Sequence, residues 1–440
     1  MQWLTAGVNG THDKPLTIRA ALNSKVIFDA SGKAYAFHLE NSSNIEVVGP
    51  FTARSASYLT VSAVNCTNIT LSNFKVYNST MWAILVTGFN ILVKDNYAQD
   101  CVLRNENCKS TTGWEQCVAT SAVSQYIPIL SENITFDHNE VYHSWGEGID
   151  IILCTNCVIK NNYVHDTTSQ LFYTDNSHNI LIENNVFRLT NGTLKGCKGD
   201  TNAISIGDEN WAIKPISVVN ITIKNNFIWG CSNGVSYWGS NSVAYYSNIT
   251  VIFNTFWKIE KAALQFTNDC VVKNKSFFNQ FKNNFVYSPQ EYYSAAVNPN
   301  YLDQWNVSAN IYYGVNRINL KDNWNGTDGN CHSIYVPLDA QRPEYFFGKG
   351  FFGNCSNERY WEPHVETYCF VPKKESVLYH KGVDATYFEV IGKHQEDYYG
   401  CVRSRVKPSI GFSEGEYMCN FDGTMINSVV VILITILCVL

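Results

Sequence analysis

A long solenoid of stacked β-coils is the all-β fold this sequence predicts, on three observations. A short phrase, Asn-Ile-x-(β-branched)-x-(Asn)-Asn, recurs along most of the chain. Each copy alternates apolar and polar residues with period 2, the mark of a strand rather than a helix. Asparagine is in excess and charge is short: 49 of 440 residues are Asn and 16% are charged, against about 25% in an ordinary domain.

The phrase begins at Asn44, Asn68, Asn90, Asn133, Asn156, Asn179, Asn220 and Asn248, at intervals of 24, 22, 43, 23, 23, 41 and 28 residues. The two long intervals read as single repeats with insertions. In the unit that starts at Asn156, Val158-Ile159-Lys160 is followed by Asn161-Asn162, then Tyr163-Val164-His165, a turn, and Leu171-Phe172-Tyr173-Thr174. Three short strands in ~23 residues form one coil of a parallel solenoid, and each coil pairs with the next ~4.8 Å away. An Asn at the same corner of every coil can stack its amide on the next and satisfy turn backbone that would otherwise be buried unpaired. Asn96, Asn139, Asn162, Asn185, Asn226, Asn254 and Asn284 form that column. The solenoid spans 1–350, a Cys-rich extension spans 351–424 and caps the open end or forms its own disulfide module, and an apolar tail spans 425–440.

Composition excludes several classes. With 26 Tyr, 24 Phe and 11 Trp the chain buries too much apolar surface to be disordered. A net charge of −6 leaves no basic footprint for nucleic acid. Only the tail is a long apolar run, so a polytopic membrane protein is excluded.

These repeats resemble the right-handed parallel β-helix superfamily, the fold of pectate lyases, polygalacturonases and chondroitinase-B-like enzymes. The resemblance covers roughly Lys14 to Leu338. GTHDKPLTIRA (from Gly10) is similar to the end of a first coil, HSWGEGIDI (from His143) and AISIGDEN (from Ala203) to uncharacterised members with a GEGID-type coil, and NIYYGVN (from Asn310) and CHSIYVP (from Cys331) to closing strands. The resemblance implies a polysaccharide cleft on the third strand of the coil. It does not choose an activity, because this fold hosts lyases, hydrolases, epimerases and adhesins. The Asn-Thr-Asp and Gly-His-Gly signatures of polygalacturonases are absent.

Registering the coils on the asparagine column places Asp150, Tyr173, Ser205, Ser236 and Gln265 outward on that third strand, flanked by inward apolar residues. Insertions at 101–115, 190–200 and 207–219 flank it as groove walls. Around it lie Glu147, Asp175, Asp208 and Glu209, with Trp145, Trp211 and Trp238. Asp150, Asp175 and Asp208 are the catalytic candidates: Asp175 and Asp208, one coil apart, are spaced as a carboxylate pair for glycoside hydrolysis, with Asp150 one coil on the other side; the same three could bind Ca²⁺. Trp145, Glu147, Tyr173, Ser205, Glu209, Trp211 and Trp238 are substrate-binding candidates, the aromatics by stacking on sugar rings. Taken singly, each Asp is more readily a solvated turn residue than a catalyst and each aromatic more readily a core residue; the case for a groove rests on the cluster. A lyase would instead need a base. His165 and Arg188 register one coil apart, with His143 offset by one residue, though an exposed polar column is more often plain surface.

Thirteen Asn-x-Ser/Thr sequons, including Asn68, Asn133, Asn191, Asn220, Asn248, Asn306 and Asn325, and fifteen cysteines fit an oxidising secretory compartment. Several sequons follow from the Asn-Ile-Thr repeat itself. Fourteen cysteines outside the tail, an even number, are compatible with disulfides, and Cys154-Thr-Asn-Cys157 reads as a disulfide rather than half a zinc site. The tail after Met425 is shorter than the ~20 residues that span a bilayer, and Asp422-Gly423-Thr424 fits a glycolipid attachment site, with a short single-pass anchor as the alternative. No signal peptide starts at Met1, so an upstream segment is expected. The expectation is a monomeric, extracellular, membrane-anchored protein that binds or cleaves polysaccharide, with a non-catalytic adhesin as the alternative.

Overall fold

The computed structural model describes residues 3–109, 115–124, 129–190, 201–209, 217–239, 245–267, 279–287, 295–297, 304–308, 310–313 and 334–336. The Cys-rich extension and the apolar tail lie outside them, as do Trp211, Asn191 and Asn325. Among the described residues thirty strands form one continuous wound sheet, and every pairing between them is parallel. The coil read from sequence is three strands: Cys154–Lys160, Tyr163–Thr167 and Phe172–Asp175. The next coil repeats it with His178–Glu183, Val186–Arg188 and Asn202–Asp208.

Alternation fills the interior. In the third strands, Ile149, Phe172, Ile204, Val235 and Leu264 stack in register down one inward column, each 0% exposed. In the second strands Val141, Val164, Phe187, Ile228 and Phe256 do the same. One apolar core therefore runs the length of the solenoid.

The predicted amide column is present and one member longer. Each Nδ2 donates to the next Oδ1 from Asn96 to Asn139, Asn162, Asn185, Asn226, Asn254, Asn284 and finally Asn310, at 2.9–3.1 Å. Each Oδ1 also accepts a backbone N–H one coil back, and each Nδ2 also reaches a backbone carbonyl, as Asn162 does to Phe136 at 3.0 Å. All eight are buried, where an unpaired amide would cost about 1–3 kcal/mol.

A second, solvent-facing ladder is built from the first residue of each phrase. Asn68 donates to Asn44, Asn90 to Asn68, Asn133 to Asn90, Asn179 to Asn156, Asn220 to Asn179 and Asn248 to Asn220, at 2.8–3.2 Å. These residues hold φ of 54–58°, the left-handed region that Asn tolerates best among residues with a Cβ. Four of the sequons singled out above, Asn68, Asn133, Asn220 and Asn248, are rungs of this ladder. Asn306 is also exposed, on the strand Trp305–Ser308.

The described cysteines divide between disulfides and free thiols. Cys101–Cys117 and Cys154–Cys157 are disulfides, but Cys66 and Cys231 are free, buried thiols. Both sit in the apolar interior, and burial pushes their pKa values up, that of Cys66 to about 11; they pack as small apolar residues. Among the described residues no helix is long and apolar enough to cross a membrane.

Candidate functional site

The third-strand sheet carries the expected outward residues in the predicted register. Asp150 pairs with Tyr173, Tyr173 with Ser205, Ser205 with Ser236 and Ser236 with Gln265. The expected open groove is not what surrounds them. Asp150 is 1% exposed, Asp175 4%, Ser205 4%, Glu147 5% and Tyr173 8%. An outward position on a solenoid strand is solvated only where nothing lies over it, and alternation alone does not report what does.

Four carboxylates meet there across three successive coils. Glu147 sits where its chain enters the strand and Asp150 three residues on; Asp175 follows in the next coil and Glu209 in the one after. Gln116, one coil earlier and in register with Glu147, donates to its Oε2 at 3.1 Å and accepts from Trp82 at 2.8 Å. Burial, above all, pushes Glu147 up to about 7, and the charges of Glu209 and Glu115 add to it. Burial raises Asp150 well above the carboxylate range, helped by Glu147, Asp175 and Glu209. Glu147 and Asp150 are hydrogen-bonded to each other, so the pair holds a proton near neutrality. Asp150 Oδ1 is buried without a hydrogen-bond partner. Glu115, also raised by burial, is bridged by Arg104 at 2.5 Å.

Tyr173 donates its hydroxyl proton to Glu209 Oε1 at 2.5 Å. Its ring reaches there by lying across Gly207, whose missing side chain is the space the ring occupies. Asn176 donates to Asp175 Oδ1 at 2.9 Å and to the Glu209 carbonyl at 3.0 Å. Gly207→Ala would place a methyl group inside the Tyr173 ring. We expect it to cost about 2 kcal/mol and to separate Tyr173 from Glu209, read as a lowered unfolding midpoint in urea with altered tyrosine near-UV circular dichroism.

Asp208 does not join the cluster. Asp175 pairs with Gly207, and the next residue along a strand points to the opposite side. Asp208 therefore lies on the inner side, 1% exposed, where its Oδ2 accepts the Tyr245 backbone N–H at 3.1 Å. Glu209 takes the place expected for it. The Ca²⁺ expectation at Asp150, Asp175 and Asp208 loses its third ligand, and among the described residues no group of three or more His, Cys, Asp or Glu side chains is placed to hold a metal ion.

The aromatics divide in the same way. Trp238 is in register with Gly207 and 54% exposed. It stands three coil steps from the Glu147–Asp150 strand, about 14 Å along the axis. Trp145 is half-buried against the core, its carbonyl held by Asn105 at 2.5 Å. Ser205 shares a hydrogen bond with Ser236 at 2.7 Å and donates to Gln170 at 2.7 Å.

The basic candidates on the second strand are internally engaged. His165 and Arg188 are in register. Both ring nitrogens of His165 face carboxylates, Nδ1 toward Asp166 at 3.1 Å and Nε2 toward Glu140 at 3.3 Å. Its ring stacks on Tyr163 at 4.0 Å and Tyr142 at 4.5 Å. Arg188 is 4% exposed, bonded to Tyr163 and stacked on Trp229 at 5.3 Å. Neither offers a free group to a substrate. Sequence reasoning passed over Glu115 and Gln116, whose only signal is that they close an insertion just before a third strand.

Fold and site together define a parallel β-helix with a buried acidic centre on one sheet. The chain belongs to the right-handed β-helix family: the family described as "Right handed beta helix region" matches residues 30–256, just over half of the 440-residue chain. Among solved structures, pectate lyase Pel9A shares the fold at a TM-score of 0.52 and 13% identity, over 94% of this chain and 84% of that one. The Azotobacter vinelandii mannuronan C-5 epimerase AlgE6 A-module gives 0.45 and 12%, over 64% of this chain and 61% of its own length. A tailspike protein of E. coli bacteriophage HK620, in complex with pentasaccharide, gives 0.44 and 11%, over 68% and 60%. Curated protein sequences contain no match.

Proposed function

We propose that this β-helix binds a carbohydrate chain along its third-strand sheet and hydrolyses a glycosidic bond there. The observation that carries the reading is the buried, proton-sharing Glu147–Asp150 pair, with Glu147 near 7. A carboxylic acid that keeps its proton at neutral pH is what protonating a leaving glycosidic oxygen requires. Trp238 serves as the stacking platform, and the ~14 Å between it and the acid pair accommodates a short oligosaccharide laid along the solenoid axis. That this fold also carries a pectate lyase supports a carbohydrate substrate. Asp175 and Glu209 beside the Glu147–Asp150 pair favour a neutral glycan, since a polyuronate would meet like charge. The sequons, the disulfides and the apolar tail support a secreted protein held at the cell surface.

A screen of the purified protein against neutral and acidic polysaccharides tests this. New reducing ends without unsaturated sugar products are expected, and their loss in Glu147→Gln. Unsaturated products would replace hydrolysis by elimination. The burial of Asp150, Asp175 and Ser205 favours a second reading, a non-catalytic surface protein that holds glycan through Trp238. Binding without turnover would establish it. On either reading Trp238→Ala should weaken oligosaccharide binding about tenfold in calorimetric titration, without lowering the thermal midpoint, because the ring is mostly outside the core.

A further inference from the structure

A partly exposed histidine, His143, stands at the corner that leads into the acidic strand. At the end of the second strand the chain passes through a left-handed residue in most coils: Asn78, Asp100, His143 and Asp166 hold φ of 54–57°, and Gly230 and Lys258 hold 73° and 54°. Tyr142 registers with Gln99 and with His165, and Ser144 with Cys101 and Thr167. His143 therefore stacks between Asp100 and Asp166 in a column otherwise rich in the residues the backbone favours there.

Its surroundings differ from those of His165. His143 Nδ1 lies 2.6 Å from Asp100 Oδ1. Asp100 is fixed in turn, its Oδ2 accepting from Gln99 Nε2 at 3.1 Å, while Gln99 Oε1 accepts the Tyr97 hydroxyl at 2.7 Å. With Nδ1–H donated to Asp100, the Nε2 lone pair is turned away from the carboxylate and makes no hydrogen bond among the described residues. The side chain is 32% exposed, and its ring meets Trp145 edge-on at 5.8 Å. Glu147 follows four residues later, so the two Cα atoms are at most about 14 Å apart.

Resting on the hydrolytic reading above, we infer that His143 is the base of the same site, oriented by Asp100 and bordered by Trp145. In this step a water oxygen attacks the anomeric carbon as its proton passes to His143 Nε2. The bond from that carbon to the glycosidic oxygen breaks, and the oxygen takes the proton held by Glu147 and Asp150. One water is consumed, two hydroxyl-bearing sugars form, and solvent returns the proton from His143 to the carboxylate pair. Asp100 is a positioning residue: it fixes the tautomer and stabilises the imidazolium.

The fold supplies a clean test, because Asn and Gly are both at home in a left-handed corner. His143→Asn and His143→Gly in the full chain should keep the wild-type thermal midpoint and circular dichroism. On whichever neutral polysaccharide gives reducing ends with the wild type, kcat should fall about 100-fold with KM little changed. Added imidazole should restore His143→Gly by about tenfold or more, and Asp100→Asn should lower kcat by about tenfold. A wild type that turns over while His143→Asn keeps most of its kcat overturns the inference alone. So does a loss in His143→Gly that imidazole does not repair. A wild type that releases no reducing ends sinks the hydrolytic reading, and this role with it.

Discussion

Asn162→Leu should destabilise the solenoid by about 4 kcal/mol, one of the largest effects available to a single polar substitution. The Asn162 Oδ1 accepts both the backbone N–H and the side-chain Nδ2 of Asn139, at 2.9 and 3.0 Å, and its Nδ2 reaches the Phe136 carbonyl at 3.0 Å. Leucine is close in size and leaves two donors and an acceptor buried without partners. At about 1–3 kcal/mol each, and less than additive, these orphans exceed anything the apolar side chain returns. Asn179→Gly on the solvent-facing ladder is the control. It removes hydrogen bonds to Asn156 and Asn220 at 3.2 and 2.8 Å, but water replaces them and glycine accepts the left-handed backbone, so the loss should stay below about 1 kcal/mol. Urea unfolding of both variants measures the contrast. Equal losses would mean that the buried column contributes no more than the exposed one.

The contrast shows how much of the fold was legible in the sequence. Register was, because two independent periods agree: the alternation that turns Phe172 and Ile204 inward, and the recurrence of Asn162 and Asn185 at one corner. The single asparagine column used to explain the Asn excess was too simple. Asn44, Asn68 and Asn90 open the repeat phrase for a backbone reason, positive φ, and their amides then stack as a consequence. Four sequons lie on these rungs, so the repeat accounts for their Asn-Ile-Thr spelling without selection for glycan.

The site was legible only along the strand. Asp150, Tyr173 and Ser205 fell in register because pairing is periodic. Asp208 failed because one residue of offset reverses a side chain, and Glu209 was the residue that offset favoured. The burial of Asp150 and Asp175 was not legible, since alternation reports which side a residue takes and not what lies over it. Nor was the difference between His165 and His143. Both follow an asparagine corner, and only the placement of Glu140, Asp100 and Asp166 shows that one ring is spent on structure and the other presents a nitrogen.

Glu147→Gln should separate stability from function by moving them in opposite directions. Glu147 is raised to about 7 in the folded protein, chiefly by burial, above its ordinary carboxylate value in the unfolded chain. The folded state therefore binds the proton more tightly. The stability tied to that proton is fully present below the unfolded pKa and is lost as pH rises through about 7. From the size of the shift the loss is about 3 kcal/mol. A glutamine cannot ionise, so the variant should match the wild type near the unfolded pKa and exceed it by about 3 kcal/mol once pH passes the folded value. Without the Glu147 charge, Asp150 should also ionise more readily, since that charge is one cause of its raised pKa. Hydrolysis, in contrast, should fall about 10²–10⁴-fold, because the amide has no proton to give a leaving oxygen. Unfolding midpoints measured across this pH range, with rates on the same samples, read both effects. A variant that is less stable than the wild type at high pH would show that the Glu147–Asp150 pair is a structural ion cluster whose charge the fold needs. A variant that is more stable and inactive would show a cluster the fold tolerates at a cost, the pattern expected when burial of acid serves chemistry.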